Sequence, residues 1–350
     1  MQPIKMEEIC YLLGISYPKD RGSFEIPCPV CEKSMNVSFP KEATHCFHCG
    51  FSSGKVDFYA RVKNISHEEA VKEIGKWQVT KDASGIKPYI YPVKCPELVK
   101  MADCQTRHEA YTALLEECTL LDSHRKNLEE RGLSEESICV NGYKTVPVTF
   151  TEASHIVKNL LTRGIVLDGV PGFYKDGKGY HLALTPVGFY IPVRGCGDNR
   201  RIQSLQVRFD DCKDKRKYRT LSSSKYNGGA ATTTFLHYTG GEIKNGTIFL
   251  TEGPLKADIA YELTGGSPFL ALTGVSAIAY LPHYMKALMK RGVTHVATCF
   301  DMDQFSNDNV RISVEKIEAM LREMGLTVEK YKWNPVYKGI DDVLLATMKR

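Results

Sequence analysis

Five carboxylates are spaced through the last third of the chain in positions where acids can do metal chemistry. Glu252 closes the apolar run GTIFLTEG, and Asp301 and Asp303 close the run THVATCFDMD. Asp341 and Asp342 follow the run LTVEKYKW. Two acids separated by one residue point the same way on extended backbone. Like charges that close repel, and a divalent cation between them is the usual remedy. An Asp at a strand end can also be no more than a helix N-cap. That plainer reading bears most on Asp342, and Asp308 is read as the cap of the helix that follows it.

A second set is sulfur. Cys28-Pro29-Val30-Cys31 is followed after fourteen residues by Cys46-Phe47-His48-Cys49-Gly50. Each Cys-x-x-Cys is a knuckle whose thiolates can face one ion, and two knuckles complete the four-sulfur tetrahedron that structural zinc prefers. A redox Cys-x-x-Cys is the alternative. His45 and His48 are surplus to a four-cysteine site, and His48 is placed to touch nucleic acid instead. A closed site stabilises a fold rather than catalysing, so this segment is expected to bind. The other eight of the twelve cysteines follow no spacing and are read as free, mostly buried thiols.

The elements that must hold these groups follow from periodicity. From residue 246 onward, strands and helices alternate: GTIFLTEG, PLKADIAYELTGG, SPFLALTGV, PHYMKALMKRG, THVATCFDMD, NVRISVEKIEAMLREMG, LTVEKYKW and GIDDVLLATM. That order predicts a parallel sheet covered on both faces, with ligands gathered beyond the carboxyl ends of its strands, where the acids fall. Around the cysteines, NVSFP reads as a strand, and GKVDFYARVKN and SHEEAVKEIGKW read as helices, the second opened by a capping box of Ser66 and Glu69. Residues 81–110 carry prolines and no helical period and read as a linker. A helical stretch YTALLEECTLLDSHRKNLEERG follows, and then strand-like runs broken by glycine up to residue 240. The predicted divisions are 1–80, 81–110, 111–240 and 241–350.

The net charge of +5 is less telling than its distribution. Between Arg194 and Lys225 ten basic residues face four acids, an excess larger than that of the whole chain. A stripe of this kind suits a polyanion, although a solvated hairpin gives the same count. No run approaches the roughly 20 apolar residues that cross a bilayer. The N-terminus lacks a signal-peptide pattern, so a cytoplasmic protein without membrane contact is expected.

These residues also carry a resemblance. The segment CPVCEKSMNVSFPKEATHCFHCGFSSGKVDFYARVKNISHEEAVKEI resembles the N-terminal zinc domain of bacterial and phage DNA primases, with Cys31 where those enzymes usually have His. Glu252-Gly253, Asp301-Met302-Asp303 and Gly339-Ile340-Asp341-Asp342 are similar to the motifs of the Toprim domain shared by primases, topoisomerases and some nucleases. The Ala-Gly usual after Asp-x-Asp in primases is replaced by Gln304-Phe305-Ser306-Asn307. LEERGLSEESI resembles the start of the primase core. Arg208 matches an arginine at a strand end there, and Lys217 with Tyr218 matches a Lys-Tyr pair; Lys225 serves as well as Lys217.

The resemblance implies a multidomain α+β and α/β fold: a zinc ribbon, a basic strand-rich subdomain, and a Toprim parallel sheet. It implies one structural Zn²⁺ on Cys28, Cys31, Cys46 and Cys49. It also implies two Mg²⁺ or Mn²⁺ ions on Asp301, Asp303 and Asp341 or Asp342, with Glu252 a ligand or proton acceptor. Arg208, Lys217, Tyr218 and Lys225 would contact template phosphates or the incoming nucleotide. The implied activity is synthesis of short RNA primers on single-stranded DNA from nucleoside triphosphates, with a replicative helicase as a further candidate partner. A Toprim nuclease would use the same acids, a topoisomerase would need a separate tyrosine domain, and a single-strand-binding module would need no catalysis. The chain ends soon after its last acid, which fits a stand-alone phage or mobile-element enzyme or a fragment of something longer.

Overall fold

The two cysteine knuckles hang from a four-stranded antiparallel sheet. In the computed structural model, residues 4–17, 22–80, 97–197, 199–211 and 217–348 are described, and the chain divides into two units, 1–95 and 96–350. The first unit runs α1 (Met6–Leu12), β1 (Ser23–Pro27), β2 (Ser34–Ser38), β3 (Ala43–His45), β4 (Ser52–Gly54), α2 (Lys55–Lys63) and α3 (His67–Thr80). Its strands pair in sequence order. Alternation buries Phe24 and Ile26 of β1 and Met35 and Val37 of β2. They pack with Ile9 and Leu12 of α1, Phe58, Tyr59 and Val62 of α2, and Trp77 of α3. The capping box forms as its residues require: the Glu69 carboxylate accepts the Ser66 N–H at 2.9 Å and Ser66 Oγ accepts the Glu69 N–H at 3.2 Å.

The second unit begins earlier than the sequence suggests. Residues 81–96 of the expected linker lie outside the described residues, but those from 97 onward are built into the core. Glu97 O accepts the Gly228 N–H, Val99 N–H reaches Gly229 O, and Ala102 N–H reaches Gly169 O. Helix α4 (Cys104–Glu117) then starts from Asp103, whose carboxylate caps the Thr106 N–H at 2.9 Å. The prolines before it concealed this element.

The long helical stretch is two helices, α4 and α5 (Asp122–Glu130). Cys118 is extended, Thr119 O accepts the Thr145 N–H at 2.9 Å, and Thr145 Oγ1 accepts the Leu121 N–H at 2.9 Å. A strand-like bond to a distant residue therefore replaces a turn of helix. There follow α6 (Glu135–Asn141), β5 (Lys144–Thr145), α7 (Phe150–Thr162), the hairpin β6 (Phe173–Asp176) and β7 (Gly179–Leu182), then β8 (Gly188–Arg194), β9 (Ile202–Phe209) and β10 (Tyr218–Thr220). Strands β10-β9-β8-β5 form one antiparallel sheet.

After an unexpected strand β11 (Leu236–Tyr238), the remaining elements alternate as expected: β12 (Thr247–Glu252), α8 (Pro254–Leu263), β13 (Phe269–Leu272), α9 (Leu281–Met289), β14 (His295–Thr298), α10 (Asp308–Glu323), β15 (Thr327–Lys330) and α11 (Ile340–Met348). Strands β13, β12, β14 and β15 are parallel neighbours, and β11 adds an antiparallel edge beside β13, so this sheet starts ahead of residue 241. Both faces are covered. Ile248 and Leu250 of β12 pack with Leu288 of α9 and Leu321 of α10, while Phe249 meets Ala257 of α8 and Leu344 of α11. Such two-sided burial explains the near-continuous apolar runs. Among the described residues no helix is long and apolar enough to cross a membrane.

A buried polar network fixes α8 against the antiparallel sheet. His237 Nδ1 accepts the Arg194 backbone N–H at 3.1 Å, which leaves the proton on Nε2 to donate to Asp258 Oδ1 at 2.9 Å. Tyr143 donates its hydroxyl to the other oxygen of Asp258 at 2.5 Å. All three side chains are buried, and a satisfied network of this kind fixes a single arrangement.

Candidate active site

Each carboxylate arrives at the site from the carboxyl end of a strand. β12 delivers Glu252, and Gly253 then turns at φ +82°, a left-handed conformation that suits glycine, with Pro254 at the first helical position of α8. After β14 the chain reaches Asp301, which is 2% exposed, and a single 3-10 turn over Met302–Phe305 carries Asp303. The backbone there is not extended, so the same-side argument for Asp301 and Asp303 does not apply. They converge all the same: Lys338 Nζ lies 3.6 Å from Asp301 Oδ2 and 3.7 Å from Asp303 Oδ2.

Asp341, at the start of α11, is also buried and points into this cluster. Gly339 shows how tightly the groups meet. A Cβ there would collide with the Asp341 carboxylate and stand 3.3 Å from both Asp301 Oδ1 and Lys256 Cε. Asp341 Oδ2 accepts from Arg131 Nη2 at 2.8 Å, while its buried Oδ1 has no partner. An orphaned buried carboxylate oxygen is costly unless a ligand completes it, although among the described residues no three acids bring ligand oxygens within 4.8 Å of one another. Asp342 stands apart: exposed, it folds back to accept the Gly339 N–H at 3.0 Å. Asp308 lies in the first turn of α10 and pairs with Arg311 at 2.9 Å.

Three basic side chains at this cluster are not signalled by the motifs. Lys256 Nζ bonds Asp301 Oδ1 and lies 3.5 Å from Glu252 Oε1; its spacing of four from Glu252 at a helix start was the available clue. Lys338 is the second, and Arg131 the third. Arg131 comes from 210 residues away, so nothing local could pair it with Asp341.

Partial burial, with the Asp301 charge behind it, pushes the Glu252 carboxyl from its ordinary 4.5 up to about 7. Between those values the folded carboxyl keeps a proton that the unfolded chain has released. The stability from this group is therefore full below about 4.5 and is lost as pH rises through about 7. Without added divalent cation, the melting temperature should fall between about pH 5 and pH 8, and Mg²⁺ should raise it more at the higher pH. A melting temperature equally responsive to Mg²⁺ at both would contradict this.

The basic residues divide. Arg208 and Tyr218 are cross-strand partners on β9 and β10. Arg208 lies over the Phe189 ring at 5.5 Å, and its buried Nε has no hydrogen-bond partner. Tyr218 sits beside the Arg131 guanidinium, so a chain of contacts runs from Asp341 through Arg131 to this strand pair. Lys217 and Lys225 are exposed, and neither forms an ion pair with the carboxylates among the described residues. The charge stripe is not one surface. Arg194 donates to Asn141 O, Arg200 donates to Tyr238 O, and burial lowers the pKa of both. Lys213, Lys215 and Arg216 lie outside the described residues.

The sulfur site closes in the first unit. Cys28 Sγ is 3.7 Å from Cys49 Sγ, Cys31 Sγ is 3.6 Å from Cys46 Sγ, and all four sulfurs lie within 4.8 Å of one another. A zinc–sulfur tetrahedron with bonds of 2.3 Å has edges of about 3.8 Å, so the spacing fits a structural zinc. Knuckle N–H groups, first that of Cys49 and then that of His48, pull the Cys46 thiol down to about 7, while burial pushes the Cys28 thiol up. Phe47 at the knuckle tip is 83% exposed, with its ring edge-on to His45 at 4.6 Å between centroids.

This combination of a four-cysteine sheet and a core joining an antiparallel to a parallel sheet has a counterpart. The crystal structure of the zinc-binding and RNA polymerase domains of Aquifex aeolicus primase is similar over 99% of this chain and 80% of its own, with a TM-score of 0.51 and 17% identity. The fold is that of a bacterial primase. The RNA polymerase domain of Mycobacterium tuberculosis primase DnaG, solved with a double-stranded DNA oligomer bearing a 6-nucleotide overhang, matches the primase core over 71% of this chain and 78% of its own (TM-score 0.50, 15% identity). The model of a domain of unknown function, DUF3854, matches residues 242–350, the part of the primase fold that holds the carboxylates. No curated protein matches the chain.

Proposed function

We propose that the chain is a DNA primase that synthesises short RNA primers on single-stranded DNA, using the Toprim-type carboxylates as its catalytic centre. The observation that carries this reading is the convergence of Glu252, Asp301, Asp303 and Asp341 at the strand ends of a primase core that follows a zinc ribbon in one chain. Asp301, Asp303 and Asp341 would hold Mg²⁺ or Mn²⁺. When bound, such a cation neutralises triphosphate charge and favours ionisation of the attacking 3′-hydroxyl. Glu252, with its carboxyl raised to about 7, is suited to accept the hydroxyl proton near neutral pH. Arg208, with a free buried N–H, and the exposed Lys217 and Lys225 would take phosphates of the template or nucleotide without reading sequence, with Tyr218 positioned by Arg131. The ribbon would hold the template strand, offering Phe47 for stacking on a base and His48 beside it.

Incubation of the protein with single-stranded DNA, labelled nucleoside triphosphates and Mg²⁺ or Mn²⁺ tests the reading. Oligonucleotide products support it. Cleavage of the template would make the protein a nuclease, and retention of the strand with neither reaction would make it a binding module.

A further inference from the structure

Asp301 is held by two lysines of unlike character, one on each carboxylate oxygen. Lys256 takes Oδ1 and reaches on to Glu252, and Lys338 takes Oδ2 and reaches on to Asp303. The Lys256 side chain is 21% exposed and that of Lys338 is 68% exposed. Lys256 is fixed from several sides. It stands on the first turn of α8, and its Cε lies 3.3 Å from where a Cβ on Gly339 would stand. Two residues on, Asp258 ties the same helix to His237 and Tyr143. Lys338 comes from the segment between β15 and α11 and has room to leave.

Among the described residues, no three acids bring ligand oxygens within 4.8 Å of one another; only the four cysteines do so. An ammonium stands between Glu252 and Asp301 instead. A tethered lysine supplies one positive charge whose water was already shed in folding, with no dissociation to balance. A divalent cation arriving from solvent competes far better for Asp301 Oδ2 and Asp303, where its rival is an exposed lysine at 3.6–3.7 Å; the orphaned Asp341 oxygen lies on the other side, toward Asp301 Oδ1 and Lys256, and adds its charge to the cluster from there.

We propose that Lys256 is a resident cation of the carboxylate site. Its ammonium holds the position shared by Glu252 and Asp301, so the free protein takes one divalent cation, at Asp301 Oδ2 and Asp303 in the place of Lys338, against the two that the sequence resemblance implies. The inference rests on the reading of these acids as a divalent-cation site.

Mn²⁺ titrated into the zinc-loaded full chain without nucleotide, with free Mn²⁺ read by electron paramagnetic resonance, decides it. Wild type should bind one ion tightly, Lys256→Ala two, Lys256→Arg one and Asp303→Asn none. Two ions on wild type, or one ion on both wild type and a folded Lys256→Ala, would overturn the resident-cation role and leave the metal site intact. No ion on wild type would overturn the metal site itself.

Discussion

Replacing Asp301 with asparagine should lower oligonucleotide synthesis by roughly a hundredfold or more, the size expected when several kcal/mol of cation-mediated stabilisation is lost at about 1.4 kcal/mol per tenfold. Among the described residues Asp301 is the one acid contacted by both lysines, and it is 2% exposed, so no solvent-borne group can stand in for it. Asparagine keeps the volume and removes the charge, and Lys256 retains Glu252, so the chain should still fold. The measurement is the initial rate of labelled oligonucleotide formation, with circular dichroism confirming structure. Asp308→Asn is the matched control: its exposed carboxylate pairs only along α10 with Arg311, and its loss should leave the rate within about twofold. Equal rates for Asp301→Asn and wild type would remove the carboxylates from catalysis.

Replacing Cys46 and Cys49 together with serine should abolish zinc binding and unfold the first unit. Structural zinc contributes about 10–16 kcal/mol in small zinc modules, more than a sheet of three- to five-residue strands supplies alone. Here the cluster joins the turn after β1 to the turn after β3. Zinc content should fall from near one ion per chain to none, and the thermal transition of residues 1–80 should disappear while that of the second unit persists on its own core. Unchanged zinc content in the double variant would exclude this ligand set.

Local chemistry was legible in the sequence and distant pairing was not. The cysteine knuckles, the Ser66–Glu69 cap and the alternating strands and helices after residue 246 are short-range patterns, and the structure forms each of them. The break between α4 and α5 was concealed because Thr145, which imposes it, lies far along the chain. β11 escaped notice as a three-residue edge strand too short to show a period. At the site, Glu252 and Asp301 could be read from strand ends, but the geometry of Asp303 depended on a 3-10 turn that a two-residue spacing does not reveal. Arg131 lay in a run that also reads as an ordinary helix stop, and its partner Asp341 is at the far end of the chain. Charge counting misled in a physical way: Arg194 and Arg200 contribute to the stripe in sequence but point their charge at backbone carbonyls inside the fold.

Template-directed primer synthesis at the carboxylate site predicts a different product on each homopolymer template. With poly(dT) as the only DNA, and Mg²⁺ or Mn²⁺ present, labelled ATP should enter short alkali-labile oligonucleotides and labelled GTP should not; poly(dC) should reverse the preference. Incorporation indifferent to the template, or no product on either template, would rule out primer synthesis by this protein.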